Sequence, residues 1–189
     1  MAFTLQTEDL ILKTAEVAFA EGLLSYYRRN RAFLESFEPK RDAHFFTLEF
    51  QELKLQHDIA DILQKTGFRF YIFPKAEPET IIGSIGLNHI VWGVFLSCFL
   101  GYKLDEEHQS RGYMTQAVRA VCRFAFDTLK LHRIEANIMP RNMASRRVLF
   151  KCGFTEEGLS PKYLKINGVW EDHVHLALLN DALEQPEAL

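Results

Sequence analysis

Gln109, Ser110, Arg111, Gly112, Tyr113 and Met114 stand where an apolar strand pattern gives way to a helical one, and their types suit an anion. Upstream, Phe95 to Leu104 is rich in apolar and aromatic residues and reads as a buried strand. Downstream, Ala117, Val118, Val121, Phe124, Ala125 and Leu129 recur at helical spacing. A loop in this position delivers the chain to a helix N-terminus, where unpaired N–H groups and the positive end of the helix dipole face the loop. Gly112 lets the backbone approach a ligand closely, and Arg111 adds a charge. The chemistry indicated is a pyrophosphate cradle. Neither Gly-x-Gly-x-x-Gly nor Gly-x-x-x-x-Gly-Lys-Ser/Thr occurs here, so the dinucleotide and nucleoside-triphosphate fingerprints are absent.

The elements that must hold this loop follow from periodicity. Phe3 to Lys13 reads as a first strand, with Thr14 placed to cap a helix through Val17, Ala20, Leu24 and Tyr27. Arg28, Arg29 and Arg31 at its end complement the dipole, a reading that outweighs RNA contact. A short helix passes through Phe33 and Leu34; a longer one spans Phe46 to Lys65, with Gly67 as its terminating glycine. Phe68 to Phe73 and Thr80 to Leu87 read as an antiparallel pair, in which Gly83 and Gly86 are bulge or packing glycines. In the strand Arg133 to Met139, Ile134, Ala136 and Ile138 form an apolar face and Glu135 and Asn137 a polar one. Asn142 to Cys152 forms a helix with Arg146, Arg147 and Lys151 facing out. Phe154 to Leu159, Tyr163 to Ile166 and His173 to Leu179 follow as strands, the last two joined at Asn167-Gly168.

At 189 residues, 48% hydrophobic and 13% aromatic, the chain has material for one domain, read as residues 1–179 with an acidic tail over 180–189. A net charge of −3 gives no global footprint for nucleic acid or membrane surface. Three dispersed cysteines (Cys98, Cys122, Cys152) suggest neither disulfides nor a metal site, and His173 with His175 lacks a third ligand, so no metal is expected. The N-terminus carries no signal-peptide pattern, and the apolar run Ile90 to Leu100 falls short of the ~20 residues of a membrane span. The expectation is a soluble cytoplasmic protein, monomeric or homodimeric.

Gln109-x-x-Gly112-x-Met114 resembles the Gln/Arg-x-x-Gly-x-Gly/Ala signature of the GCN5-related N-acetyltransferases (GNAT), with Met114 in place of a small residue. A Met in a first helical turn can point away from the phosphates. Phe37-Glu-Pro-Lys-Arg-Asp42, Leu100-Gly-Tyr102, His132-Arg-Ile134, Asn137-Ile-Met-Pro-Arg-Asn142 and Trp170-Glu-Asp-His173 resemble the RimJ/RimL type, the ribosomal-protein alanine N-acetyltransferases, over roughly residues 5 to 179. The resemblance implies an α+β, three-layer α/β/α acyl-CoA N-acyltransferase fold with a mixed, mostly antiparallel sheet of about seven strands, splayed at its centre. It implies acetyl-CoA as co-substrate and a protein N-terminus, that of a ribosomal protein, as acceptor. On this basis Gln109, Ser110, Arg111, Gly112, Tyr113 and Met114 bind the pyrophosphate, the N–H of Leu104 faces the thioester oxygen, and Asn142 bonds the pantetheine arm or simply caps its helix. Ser145 reprotonates the thiolate or is a plain helix-surface serine.

Related enzymes of another branch use a Glu and a Tyr where this chain has Asn137 and Leu149. An N-terminal α-amine, with an ordinary pKa of roughly 7.7–8.0 against about 10.4 for lysine, is already partly neutral near pH 7 and needs only weak assistance. Asn137 could orient a water for that purpose, with Glu135 on the same strand face. Glu38, Asp42, Glu171 and Asp172, placed by resemblance around the acceptor groove, would favour a cationic peptide. Two alternatives stay open: transfer to a small amine such as a polyamine or an aminoglycoside, and a non-catalytic module that binds coenzyme A or the ribosome.

Overall fold

The computed structural model describes residues 2–183. In chain order it contains β1 (Thr4–Gln6), β2 (Leu10–Thr14), α1 (Ala20–Arg29), α2 (Arg31–Glu35), α3 (Leu48–Gln64), β3 (Phe68–Pro74), β4 (Gly83–Val91) and β5 (Ser97–Leu104). The second half adds α4 (Tyr113–Arg123), β6 (Arg133–Ile138), α5 (Met143–Lys151), β7 (Thr155–Ile166) and β8 (Val169–Leu179). The eight strands form one sheet in the order β1-β2-β3-β4-β5-β6-β8-β7. All neighbours are antiparallel except β5 and β6.

Alternation along the strands builds two cores. Phe70 and Ile72 of β3 point with Leu12, Ile85, Val118, Val121, Ile134 and Leu149 into a core under α4 and α5. Tyr71 and Phe73, their neighbours in sequence, point to the other face, where Leu23, Tyr26, Tyr27 and Leu55 of α1 and α3 cover them. A strand buried on both faces reads as an unbroken apolar run, as Phe68 to Phe73 does. The result is the expected three-layer α+β sandwich.

The boundaries differ from expectation where local chemistry decided. The stretch Phe3 to Lys13 is a hairpin: Thr7 turns the chain by accepting from the Leu10 N–H at 3.1 Å, and its own hydroxyl donates to Gln116 of α4. Thr14 is a strand residue whose hydroxyl accepts from Phe3 N at 3.0 Å, so it caps no helix; a 3-10 turn, Val17–Phe19, leads into α1 instead. Helix α3 is capped by Thr47 but ends on Lys65 at φ 58°, not on a glycine. Gly67 has a packing role, since a Cβ there would lie 3.2 Å from the Leu87 carbonyl oxygen. The run toward Leu129 is α-helical to Arg123 and then widens into a π-helical turn, Phe124–Thr128.

Strand β4 begins at Gly83, and β5 at Ser97. Gly83 is needed as glycine because a Cβ would run into the Lys103 carbonyl oxygen and lie 3.2 Å from Leu104 Cα. The two expected strands, Phe154 to Leu159 and Tyr163 to Ile166, merge into the single strand β7 from Thr155, whose pairing with β8 slips between Glu156 and Gly158 and again between Ser160 and Leu164. One expected strand is therefore two and two are one. The expected tail is docked at its start: buried Asn180 donates from Nδ2 to the Leu131 carbonyl at 3.1 Å. Residues 184–189 lie outside the described residues.

Candidate active site

The loop between β5 and α4 is held from both ends. Arg29, at the end of α1, donates to Asp105 at 2.6 Å and to the Ile81 carbonyl, and Asn30 accepts from the Glu106 N–H at 2.9 Å. Burial by itself would raise the Asp105 carboxyl, but Arg29 and Asn30 hold it below the ordinary carboxylate value. The arginines of the first helix thus anchor the cradle; Arg28 and Arg31 engage Phe46, through its carbonyl and its ring. On the far side, Gln116 ties α4 to the β1–β2 turn through Thr7 and Asp9.

Within the loop Ser110 (φ 62°) and Gly112 (φ 79°) are both left-handed, a conformation costly for Ser. Helix α4 starts on Gly112 with no side-chain cap, whereas α3 and α5 are capped by Thr47 and Asn142. Its first-turn N–H groups remain as donors to an anion. Arg111 turns back to donate to the Glu107 carbonyl at 3.0 Å. Met114 is buried in the core beneath the helix, so its side chain leaves the N-terminus open.

A cavity of about 400 Å³ begins at this loop, with Gln109, Ser110, Gly112, Tyr113, Met114 and Thr115 along one side. Asn142, Ser145, Arg147 and Lys151 of the α5 region form the opposite wall, and Tyr102, Lys103 and Leu104 of β5 its floor. Phe33, Leu34 and Phe37 close the far end. Arg147 and Lys151, expected to face away, therefore border the cavity. Strands β5 and β6 pair only through Ser97–Arg133, Cys98–Ile134 and Phe99–Glu135, then part, and the cavity draws its walls from both faces of the sheet at that gap.

Six expected cofactor-binding residues and Leu104 meet around this cavity, together with Ser145; Arg111 does not line it. Asn142 Oδ1 accepts from the Ser145 N–H at 3.1 Å, which caps α5 and leaves Nδ2 as the donor toward the cavity. The Ser145 carbonyl accepts from Tyr102 OH at 3.2 Å across the gap, and burial pushes the Tyr102 phenol up, keeping it a donor. Asn137 does not line the cavity; it stands just past the last β5–β6 pair, on the face of β6 opposite Ile134, Ala136 and Ile138, and Glu135 on the same face is paired with Arg133 at 2.7 Å.

The expected acidic wall is engaged internally. Glu38 pairs with Lys103 and Arg41, Asp42 accepts from Phe45 N, Glu171 pairs with Arg141 at 2.6 Å, and Asp172 accepts from Lys162 N. Burial would lower Lys103, but Tyr27 and Glu38 raise it above its ordinary value. Tyr102, Lys103, Phe33 and Phe37 were not singled out from the sequence as site residues. The Leu100-Gly-Tyr102 and Phe37-Glu-Pro-Lys-Arg-Asp42 motifs were the signals that touched Tyr102 and Phe37. All three cysteines are free, and burial raises the Cys98 thiol to about 12, which removes it as a nucleophile.

Residues 9–155 match the family model described as an acetyltransferase (GNAT) domain. The chain belongs to this family. It is 42% identical over 181 residues to a probable N-acetyltransferase, YjcK, of Bacillus subtilis, covering 96% of this chain and 99% of that protein. The solved ribosomal-protein-S5-alanine acetyltransferase of Vibrio fischeri superposes with a TM-score of 0.91 at 35% identity, over 97% of this chain and 100% of the other. Mycobacterium smegmatis RimJ, solved in complex with CoA-disulfide, gives 0.88 at 25% identity, over 97% and 89%. The chain is an acetyl-CoA-dependent N-acetyltransferase of the RimJ-like branch, with the GNAT fold. Among the described residues no helix is long and apolar enough to cross a membrane, and no cluster of His, Cys, Asp and Glu could hold a metal ion.

Proposed function

We propose that this acetyltransferase transfers acetyl from acetyl-CoA to a protein N-terminal α-amine, the N-terminal alanine of a ribosomal protein being the first candidate. The observation that carries the cofactor assignment is the uncapped start of α4 beside two left-handed loop residues, opening on a cavity at the β5–β6 gap. Pyrophosphate oxygens fit the free N–H groups there, and the thioester arm runs along the floor beside Leu104. The Leu104 N–H faces the developing oxyanion, and Ser145, across the gap, returns a proton to the departing thiolate.

The acceptor assignment rests on likeness to the Vibrio fischeri enzyme over the whole chain, which is an argument by analogy. It is supported by the aromatic end of the cavity, where Phe33 and Phe37 offer apolar contact to a small first side chain. With Glu38, Glu171 and Asp42 engaged by the protein itself, charge selection of a basic peptide is weaker than the sequence suggested. The test is thiol release from acetyl-CoA with a panel of N-terminal peptides, blocked peptides bearing internal lysine, and polyamines, followed by mass spectrometry. Acetylation of the α-amine of alanine-initiated peptides is expected. Preference for a polyamine, or transfer to lysine alone, would overturn the acceptor and leave the cofactor site standing.

A further inference from the structure

The edge strand β7 carries a bulge with an unusual reach. Pairing with β8 breaks between Ser160 and Leu164, and Lys162 in the break is left-handed at φ 51°. Bulges re-aim side chains, and strained non-glycine backbone gathers at functional sites. Here the bulge sends Tyr163 across β8, over His173 and His175 with ring centroids at 5.5 and 4.8 Å, to β6, where Asn137 Nδ2 donates to its hydroxyl at 3.3 Å. Asn137 Oδ1 is buried and accepts from no described residue. An amide oxygen so placed wants a donor, and it sits two residues beyond the last β5–β6 pair, at the gap.

His175 is the direct cross-strand partner of Asn137, so their side chains are neighbours on one face. Its Nε2 lies 2.8 Å from Ser160 Oγ; with Nε2 donating to that hydroxyl, Nδ1 keeps its lone pair. We propose that Asn137 Oδ1 and Tyr163 seat the acceptor ammonium and that His175, oriented by Ser160, takes its first proton. This rests on the reading of the acceptor as an amine at the gap. In the balanced step the ammonium gives one proton to His175 Nδ1, directly or through one water, and the freed lone pair attacks the acetyl carbonyl carbon. The C–S bond breaks, one of the two remaining N–H protons goes to the thiolate, and the other stays on the amide nitrogen. Amide, thiol and imidazolium result, and the imidazolium returns its proton to solvent. The charged and titratable groups on this face are Glu157 and Tyr163 of β7, Arg133 and Glu135 of β6, and Glu171 and His173 of β8. Of these, Glu157 lies close enough to His175 for the two to interact electrostatically.

The experiment is kcat/KM against pH for the wild type, H175Q, S160A and N137A, with the amine that the acceptor panel identifies. H175Q should lose about 10²-fold at neutral pH and lose the limb set by His175, its rate then rising with pH along the ionisation of the amine alone. N137A should raise KM for the amine and leave KM for acetyl-CoA unchanged. S160A should shift the limb with a smaller loss, and it serves as the decisive variant if H175Q fails to fold. A folded H175Q or S160A with the wild-type rate and pH profile overturns the assignment. If the wild type acetylates only polyamines, the acceptor reading fails, while the His175 limb is still measured with that amine.

Discussion

Strands β2–β4 and β6–β8 belong to one sheet but are covered differently. The first group is roofed on both faces, and no residue of the second group joins the core under α1 and α3 among the described residues. Each group places a polar cluster on that same face. In the covered half Asp58, 6% exposed, receives Lys54 at 2.8 Å, Arg69 at 3.2 Å and Tyr71 at 2.6 Å, and is fully partnered. In the open half Asn137 Oδ1 has no partner, and Tyr163 remains 37% exposed. A charge deep in the protein must be satisfied internally, while polar atoms at an open edge can wait for a ligand. Stability and chemistry are thus divided along the sheet, with the β5–β6 gap as the border.

The largest effect that tests this division is loss of the covered cluster. Asp58→Ala leaves Lys54 and Arg69 buried without their counter-charge and should cost about 3–5 kcal/mol in denaturant unfolding. Burial alone would raise the Asp58 carboxyl, but Lys54 and Arg69 hold it below its ordinary value in the fold. The associated stability is therefore present above the ordinary carboxylate range and lost as pH falls through the lowered folded value. The variant should lose that part of the acid dependence. Equal acid sensitivity in the two proteins would show that Asp58 is not the group titrating.

At the border itself, Gly112→Glu should weaken coenzyme A binding about 100-fold, some 2.7 kcal/mol, by placing a carboxylate against the phosphates. A Cβ at Gly112 meets nothing within 4 Å, so the only intrinsic penalty is the left-handed backbone and the variant should fold. Unchanged affinity by calorimetry would remove the loop from the cofactor site.

Gly83→Ala is the next test, at about 1–3 kcal/mol, because its Cβ would strike β5 at Lys103 and Leu104. Since Leu104 lines the cavity, coenzyme A affinity should fall together with melting temperature. That contact also shows what a sequence can and cannot disclose. The cradle was legible because strand, loop and helix lie within Phe95 to Leu129 and each carries its own periodicity. The β1–β2 turn was not, since Thr7, Glu8 and Asp9 include no glycine or proline and are held by Gln116 from a distant helix. Asn137 was legible as a polar residue on a half-apolar strand, but its partner Tyr163 is 26 residues away and reaches it only through a bulge at Lys162. The acidic residues near Pro39 and Trp170 were visible, whereas the Lys103 and Arg141 that occupy them were not.

The smallest expected effect on stability lies in the open half, and it separates the two regions most clearly. Glu157 is bound by Arg133, which also holds Glu135, and the hydrogen bond from Arg133 is what chiefly lowers the Glu157 carboxyl. Its side chain is 43% exposed, so solvent and salt screen the pair, and Glu157→Gln should cost under about 1 kcal/mol. The same substitution removes a negative charge that faces His175. Plateau kcat and coenzyme A affinity should hold, since Glu157 does not line the cavity. Raising the salt concentration should shrink the stability difference between wild type and variant. A melting temperature that falls by several degrees would mean that Glu157 supports the edge strand and that the open face resembles the covered one after all.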